Sequence, residues 1–210
     1  MQQEIAQRLR RLVNDSPPRR ILGLAGCPGA GKSTLARVIV AEMPGTAIAV
    51  PMDGFHLANS VLQQFGRTAR KGAPDTFDVD GYVALLARLR TDSTSTIYAP
   101  EFRRNVEEPV AAAIVVSPAV RLVVTEGNYL LHEHGGWERV RSHLDECWFV
   151  DVDDDVRIRR LIDRHVAYGK TEPAARAWAL GSDQRNAELI LLGKTRADWI
   201  VTEDRATTTD

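Results

Sequence analysis

Residues 26–33 read GCPGAGKS, which places three glycines within six residues, directly before a lysine and a serine. Residues 21–25 form a short apolar run ahead of this segment, and residues 34–40 follow it with a pattern that favours a helix. A strand, a glycine-rich loop and a helix in this order, with the spacing G-x-x-x-x-G-K-[ST], predict a phosphate-binding loop. The alternative, a glycine-rich turn before an ordinary helix, is disfavoured because both flanking segments fit.

The residue types of this loop explain how it would bind phosphate. Glycines allow consecutive backbone N–H groups to point at one phosphate, and the following helix adds the positive end of its dipole. Lys32 would reach the β- and γ-phosphates, and the hydroxyl group of Ser33 would bind Mg²⁺. We therefore expect a bound nucleoside triphosphate. The residues expected to contact it are Gly26, Pro28, Gly29, Ala30, Gly31, Lys32, Ser33 and Thr34.

Length, charge and cysteine content limit the classes to which the chain can belong. A length of 210 residues fits one α/β domain. The formal net charge of −1 argues against electrostatic binding of nucleic acid or of an anionic membrane. Cys27 and Cys147 lie far apart and in no CxxC pattern, so neither a disulfide framework nor a zinc site is indicated. No apolar run approaches the length of a membrane span, and we expect a cytoplasmic protein.

Strand and helix patterns alternate along most of the chain. Predicted strands after the glycine-rich loop lie at residues 46–50, 113–116, 121–126, 147–151 and 199–201. Predicted helices after the loop helix lie at residues 82–90, 156–166 and 173–192. This alternation predicts βαβ units, which build a parallel sheet covered on both faces by helices, a three-layer α/β/α fold.

The chain divides into a short leading helix, one domain and a tail. Residues 1–18 carry an amphipathic helix with apolar residues at helical spacing, ended by Pro17-Pro18. The domain covers residues 19–204, and residues 205–210 form a loose tail. Residues 65–80 and 93–109 break the regular alternation, being rich in glycine, proline and charge. Long irregular segments in a compact domain are usually functional loops or disordered. Because these two follow the second predicted strand, we expect them on the acceptor side of the cleft.

Two acidic residues follow predicted strands. Asp53 could take the proton of an attacking hydroxyl group, the step that a small-molecule kinase needs. The sequence makes it equally reasonable that Asp53 caps a helix beginning near Leu57. Glu126 lies where a Walker-B acid would lie and could hold a water on Mg²⁺ or bind an acceptor hydroxyl. The alternative for Glu126 is a strand-end carboxylate that faces solvent.

A row of arginines occurs in the helix predicted at residues 156–166. Arg157, Arg160 and Arg164 are spaced so that they share one helix face. Such a row can neutralise the charge on a transferring phosphoryl group, as a closing lid does. The alternative is a solvated basic face paired with neighbouring aspartates, and without the glycine-rich loop this alternative would be favoured.

Taken together, these residues resemble the P-loop kinase group that contains bacterial pantothenate kinase and uridine kinase. The chain looks closest to short bacterial members often called nucleoside or fructose-transport kinases. The similarity runs from about residue 19 to residue 201, and MDGFH followed by EGNYLL is its most selective part. The segments that carry it are GCPGAGKS, MDGFH, GAPDTFDVDGY, YAPEFRRNVEEP, VVTEGNYLL and RLIDRHVAYGK.

The resemblance implies an ATP-dependent phosphotransferase that uses Mg²⁺ and moves the γ-phosphoryl group to an alcohol. It implies strand order 2-3-1-4-5 and a helical lid at about residues 157–176. Asp53 matches the family's catalytic base, Lys32 and Ser33 its P-loop pair, and Arg160 and Arg164 its lid arginines. Ser33 would bind the metal directly, and Glu126 would bind it through a water molecule. The implied substrate-binding residues are Asp53, His56, Tyr98, Arg103, Glu126, Asn128 and His165.

One departure and one rival function bear on the acceptor. Related sequences tend to have Phe-Asp-Arg where this chain has Phe102-Arg103-Arg104, so a base replaces an acid, which predicts an acceptor that differs from theirs or carries negative charge. We expect a small-molecule acceptor of the pantothenate, nucleoside or sugar type and no nucleic acid or membrane partner, and a homodimer is the prior expectation for a soluble enzyme. The rival is a regulatory P-loop NTPase that acts on a partner protein.

Overall fold

The computed structural model of the protein describes residues 3–14 and 19–202. The break predicted at Pro17-Pro18 and the tail predicted at residues 205–210 lie outside these ranges. The helices are α1 (Gln3–Asn14), α2 (Lys32–Glu42), α3 (Asn59–Gln64), α4 (Val79–Thr91), α5 (Asp154–Ala167), α6 (Glu172–Trp178) and α7 (Gln184–Leu191). The strands are β1 (Arg20–Ala25), β2 (Ala47–Ala49), β3 (Ile97–Arg103), β4 (Glu108–Val116), β5 (Leu122–Glu126), β6 (Glu146–Asp151) and β7 (Trp199–Thr202).

The central sheet has five parallel strands in the order β2-β5-β1-β6-β7. When only the five strands of this sheet are numbered along the chain, leaving out β3 and β4, the order is 2-3-1-4-5, as the resemblance implies. Leu22 of β1 lies opposite Val124 of β5 on one side and Glu146 of β6 on the other. Because all five strands run in one direction, their carboxyl ends meet at one edge, where α/β sheets bind ligands.

Apolar side chains cover both faces of this sheet. On one face Ile21 packs in a cluster with Leu86 of α4, and on the other Leu22 packs in a cluster with Ile39 of α2. The leading helix α1 joins the second cluster through Ile5 and Leu9, both buried. The predicted three-layer α/β/α architecture is confirmed. Among residues 3–14 and 19–202, every helix is too short or too polar to span a bilayer.

Strands β3 and β4 form an antiparallel hairpin outside the central sheet. The strand predicted at residues 113–116 is therefore part of this hairpin, and the irregular segment predicted at 93–109 is partly regular. Proline is tolerated there because a two-stranded ribbon leaves backbone positions that donate no ladder hydrogen bond. A Cβ atom on Gly54 would lie 2.4 Å from the carbonyl oxygen of Pro100, so only glycine lets the hairpin pack this closely beside Asp53.

The helical region between β6 and β7 is broken where sequence periodicity predicts one stretch at residues 173–192. Helix α6 ends at Trp178, a π-helical turn covers Ala179–Asp183, and α7 follows. Such turns occur frequently at functional sites because the extra residue redirects side chains. Here the turn ends at Asp183, whose side chain lines the site described next.

Candidate active site

A cleft of about 750 Å³ opens at the carboxyl edge of the sheet. It brings together most of the residues that the sequence singles out. Those lining it are Pro28, Gly29, Ala30, Gly31, Lys32, Ser33, Thr34, Asp53, His56, Glu126, Asn128, Arg160, Arg164 and His165. Gly26 contributes through its carbonyl group, which accepts a hydrogen bond from Lys32.

The glycine-rich loop connects β1 to α2 and adopts backbone angles that suit glycine. Gly29 and Gly31 have φ values of 84° and 94°, in the left-handed region that residues with side chains rarely adopt. A Cβ atom on Gly29 would also lie 2.7 Å from the carbonyl oxygen of Arg157. The loop therefore keeps its curved backbone directly before the N-terminus of α2, the arrangement that binds phosphate.

The ammonium group of Lys32 is buried under this loop. It donates hydrogen bonds to the carbonyl oxygens of Gly26 (2.8 Å) and Cys27 (3.0 Å) and to Oδ1 of Asn128 (2.8 Å). Burial lowers the pKa of Lys32, and the negative charge of Glu126 opposes that shift. A phosphate would add the attraction of its own negative charge to such hydrogen bonds, so it would stabilise this cation better than neutral oxygens do.

Ser33 and Glu126 form a hydroxyl–carboxylate pair beside Lys32. The Ser33 hydroxyl donates to Oε1 of Glu126 over 2.8 Å. Glu126 is buried, so the solvent-facing interpretation is wrong. Burial raises the pKa of Glu126, and the nearby Asp53 raises it further. Hydroxyl and carboxylate oxygens are ligands that Mg²⁺ prefers, so this donor set fits the Mg²⁺ that the resemblance implies.

Asp53 lies in the turn Met52–Phe55, just after β2. Helix α3 begins at Asn59 with Ala58 as its N-cap, so Asp53 caps no helix and the capping interpretation is wrong. The side chain of Asp53 is 34% exposed, and its nearest cation is Arg104, whose Nη2 atom lies 3.9 Å from Oδ2. Asp53 also affects the pKa of Lys32 and of Glu126, which places these three groups in one electrostatic neighbourhood.

His56 lies between two aromatic rings beside Asp53. Its ring centroid is 4.1 Å from that of Phe77 and 4.8 Å from that of Phe102. The Nδ1 atom lies 2.8 Å from the carbonyl oxygen of Asp53, and because a carbonyl can only accept, Nδ1 carries the proton. Burial lowers the pKa of His56, so the ring is neutral near pH 7 and Nε2 is a hydrogen-bond acceptor.

Arg160 and Arg164 approach the cleft from α5. A Cβ atom on Gly31 would lie 4.0 Å from Nη1 of Arg160, which places this guanidinium group over the glycine-rich loop. Burial lowers the pKa of Arg164, and the positive charge of Arg104 lowers it further. The two arginines that match the lid of the family therefore both face the site.

Arg157 has the helix spacing of Arg160 and Arg164 but does not line the cleft with them. Its side chain is 1% exposed and donates to Oδ1 of Asp154 (2.9 Å) and Oε1 of Gln184 (2.6 Å). The reason is the packing of α5 against the glycine-rich loop at Gly29, which turns this position into the protein interior.

His165 lines the cleft and is held by a carboxylate from the π-helical turn. Its Nε2 atom lies 2.8 Å from Oδ2 of Asp183. Two further residues of this wall are Lys170 and Trp178, and Nζ of Lys170 lies 4.7 Å from the centroid of the Trp178 ring. The π-helical turn and the end of α5 thus face the cleft together.

Tyr98 and Arg103 are the two predicted substrate-binding residues that do not line the cleft. Side chains alternate between the two faces of a strand, and Phe102 faces the cleft, so Arg103 faces the other side. Its Nε atom lies 3.5 Å from Oε2 of Glu101. Tyr98 lies opposite Val115 in the hairpin, and both are exposed.

Sequence reasoning did not single out several residues that line the cleft. These are Lys71, Phe77, Arg104, Tyr168, Lys170 and Asp183. Arg104 stands in the segment YAPEFRRNVEEP, but that segment does not tell which of its two adjacent arginines faces the cleft. Only the register of the hairpin decides this, and register depends on tertiary contacts.

Comparison with known proteins gives the family. A sequence model described as the phosphoribulokinase / uridine kinase family matches residues 21–202. The YggC protein of Escherichia coli is 34% identical over 199 residues, covering 92% of this chain and 82% of its own. A protein of Aspergillus versicolor named ATP-dependent kinase-like protein notR' is 36% identical over 149 residues, covering 67% of this chain and 87% of its own.

Solved structures give the same result. The crystal structure named a fructose transport system kinase, from Silicibacter sp. TM1040, superposes with a TM-score of 0.86 at 36% identity and covers 94% of this chain and 97% of its own. The structure of YFH7 from Saccharomyces cerevisiae, described as a P-loop-containing kinase with a circular permutation, has a TM-score of 0.81 at 20% identity and covers 95% and 97%. The second similarity shows the fold alone.

Proposed function

Because this chain belongs to the phosphoribulokinase and uridine kinase family, and is therefore an ATP-dependent phosphotransferase, we propose that its acceptor is a hydroxyl group of a small metabolite. The observation that carries the proposal is the arrangement around Asp53. This carboxylate lines the same cleft as Lys32 and the Ser33–Glu126 pair, and its ion pair with Arg104 is long, at 3.9 Å. A carboxylate beside the phosphate site that is only weakly paired is what acceptor activation needs.

In the proposed reaction Asp53 binds the acceptor hydroxyl and takes its proton as the oxygen attacks. A bond forms between that oxygen and the γ-phosphorus of ATP, and the bond from this phosphorus to the bridging oxygen breaks, which releases ADP. The backbone N–H groups of the glycine-rich loop and the ammonium group of Lys32 hold the phosphates. Arg160 and Arg164 neutralise charge on the transferring group and exclude water that would hydrolyse ATP.

Ser33, and Glu126 through a water, would hold Mg²⁺. When bound there, the cation would neutralise charge on the β- and γ-phosphates. The contribution of the chain itself is to keep the Glu126 carboxylate close to the Ser33 hydroxyl, at 2.8 Å, before nucleotide arrives. A lid at residues 157–176, a cytoplasmic location and a homodimer are predictions from the sequence that belong to the same proposal.

A screen for ADP release tests the proposal. Purified protein is incubated with MgATP and one alcohol at a time from a panel of hydroxy acids, nucleosides and sugars, and ADP is measured with a coupled assay. The expected result is little ADP without acceptor and a large increase with one class of compound. Slow ATP hydrolysis that no alcohol accelerates would instead favour the rival, a regulatory NTPase whose nucleotide state acts on a partner protein.

A further inference from the structure

Three cationic side chains from separate elements line the cleft around Asp53 and His56. Lys71 comes from the segment between α3 and α4, Arg104 from the turn between β3 and β4, and Arg164 from α5. All three line the cleft. Burial lowers the pKa of Arg164, and the guanidinium group of Arg104 lies close enough to lower it further.

The ion pairs that Lys71 and Arg104 make within residues 3–14 and 19–202 are long ones, at the outer limit of ion-pair distance. Nζ of Lys71 donates to two neutral oxygens, Oδ1 of Asn59 (2.7 Å) and the carbonyl oxygen of Glu107 (2.6 Å), while the Glu107 carboxylate is 4.0 Å away. Arg104 approaches Asp53 only to 3.9 Å. For Arg164, no described carboxylate lies within ion-pair distance, and its guanidinium group makes no hydrogen bond to a described residue.

Cations outside the cleft have closer carboxylate partners than Lys71 and Arg104 have. Arg141 contacts Asp198 and Lys194 contacts Asp151, each at 2.8 Å. The carboxylates near the three cations have other contacts or roles, since Asp183 binds His165, Glu108 accepts from the backbone N–H of Asn59, and Asp53 is the proposed base. The three cations are therefore only weakly paired with described carboxylates.

The backbone is bent to hold Lys71 in this position. Glu107 has a φ of 54°, a left-handed conformation that is unfavourable for a residue with a side chain. In this conformation its carbonyl oxygen accepts from Lys71, and Nζ of Lys71 also lies 5.1 Å from the ring centroid of Phe102. Strain that persists in a turn beside a cleft is typical of a ligand-binding position.

The ATP phosphates do not account for all this charge. In the proposed reaction Lys32, Arg160, Arg164 and the amides of the glycine-rich loop serve them, whereas Arg104 and Lys71 have no role there and lie near Asp53 and His56. We propose that the acceptor carries an anionic group, a carboxylate or a phosphate, which Arg104 binds with Lys71 and Arg164 beside it. This inference rests on the proposed function and narrows its substrate class to hydroxy acids or hydroxyalkyl phosphates, excluding neutral nucleosides and free sugars.

Matched pairs of acceptors that differ in charge test the inference through turnover. The pairs are glycerate with glycerol, pantothenate with pantothenol, and ribose 5-phosphate with ribose. In any pair that reacts, kcat/KM for the anion is expected to exceed that for the neutral compound by about 10- to 100-fold, the usual value of a hydrogen-bonded charge. A carboxylate pair and a phosphate pair distinguish the two anions. Equal or better use of the neutral member overturns the inference while the kinase function stands.

A binding measurement decides the inference without any turnover. The protein is saturated with Mg²⁺ and the non-hydrolysable analogue AMP-PNP, which fills all three phosphate positions, and inorganic phosphate is titrated by calorimetry. Saturable phosphate binding is expected, weakened about 10-fold or more in Arg104→Gln. Arg103→Gln removes the same charge from the adjacent residue, whose side chain does not line the cleft, and is expected to bind phosphate as the wild type does.

Each outcome of the titration has one meaning. Absence of phosphate binding, or equal binding by wild type and Arg104→Gln, overturns the inference. Loss of binding in Arg103→Gln alone also overturns it, because the anion would then lie on the other face of the hairpin. Failure to bind AMP-PNP contradicts the proposed function rather than this inference. Thermal unfolding of both variants checks that each is folded.

Discussion

The two ends of the cleft are built in different ways. One octapeptide, residues 26–33, supplies the phosphate end, and much of its binding capacity lies in backbone N–H groups and in the φ values of its glycines. The acceptor end is assembled from side chains distant in sequence, of which Asp53, Lys71 and Arg104 come from three separate turns. A backbone site keeps its ligand when side chains change, whereas a site of side chains can change its ligand without changing the fold.

The two ends also differ in how their charges are compensated. At the phosphate end the Lys32 ammonium makes three hydrogen bonds, and Ser33 is bonded to Glu126. At the acceptor end Arg104 has no partner closer than the 3.9 Å contact with Asp53 among the described residues. We conclude that the phosphate end is pre-organised by the protein and that the acceptor end is completed by its ligand.

The largest effect is expected for Lys32→Ala at the phosphate end. Loss of this cation removes charge stabilisation from the transferring phosphoryl group and should lower kcat by about three to five decades, whichever acceptor is used. The measurement is ADP release at saturating acceptor. Lys71→Ala is the matched variant at the other end and should raise the acceptor KM while leaving the KM for MgATP unchanged. If the two variants have the same kinetic signature, the division into two ends is wrong.

Asp53→Asn is expected to have the next largest effect. The amide cannot take the proton of the acceptor, so kcat should fall by about two to four decades, the usual cost of losing a general base. Calorimetric binding of Mg²⁺–AMP-PNP should be retained, because Asp53 makes no contact that holds the glycine-rich loop. An equal loss of nucleotide affinity would show instead that Asp53 contributes to nucleotide binding at the phosphate end. Asp163→Asn, on the exposed side of α5, is the control carboxylate.

The same contrast explains what the sequence could predict. The glycine-rich loop, the strands around it and the pair Ser33 and Glu126 were predictable because contiguous residues and strand ends determine them. Asp183 was not predictable, since a π-helical turn inside a region with helical periodicity brings it to the cleft. The choice between Arg103 and Arg104 was not predictable either, because one residue of hairpin register exchanges the two faces. Arg157 matched the helix spacing but faces the interior, where α5 packs on Gly29.

Asn128→Ala tests whether Asn128 acts at the phosphate end or at the acceptor end of the cleft. The resemblance implies that Asn128 binds the acceptor, yet its Oδ1 atom accepts from Nζ of Lys32 over 2.8 Å. If its main task is to position Lys32, kcat should fall about 10-fold with every acceptor, as for the loss of one hydrogen bond to a charged group. A higher acceptor KM with unchanged kcat would assign Asn128 to the acceptor end. Asn128→Asp, which keeps an acceptor oxygen, should restore most of kcat.

The smallest effect is expected for His56→Asn, measured as stability against pH. Burial lowers the pKa of His56, the negative charge of Asp53 opposes this shift, and the positive charges of Lys71 and Arg104 reinforce it. As the pH falls below the ordinary value of about 6.5, this histidine is therefore protonated in the unfolded chain before it is protonated in the folded chain. The stability that the neutral His56 ring gives the wild type is therefore present in full above that pH and is lost as the pH falls through the folded-state pKa. Asparagine can still donate to the Asp53 carbonyl but does not titrate.

Urea unfolding between pH 5 and 8 checks this prediction. The free energy of unfolding should change less steeply with pH for the variant, by at most about 1.4 kcal/mol per pH unit. Identical slopes would mean that His56 is solvated at the acceptor end, and the aromatic packing around it would then contribute nothing to keeping the ring neutral.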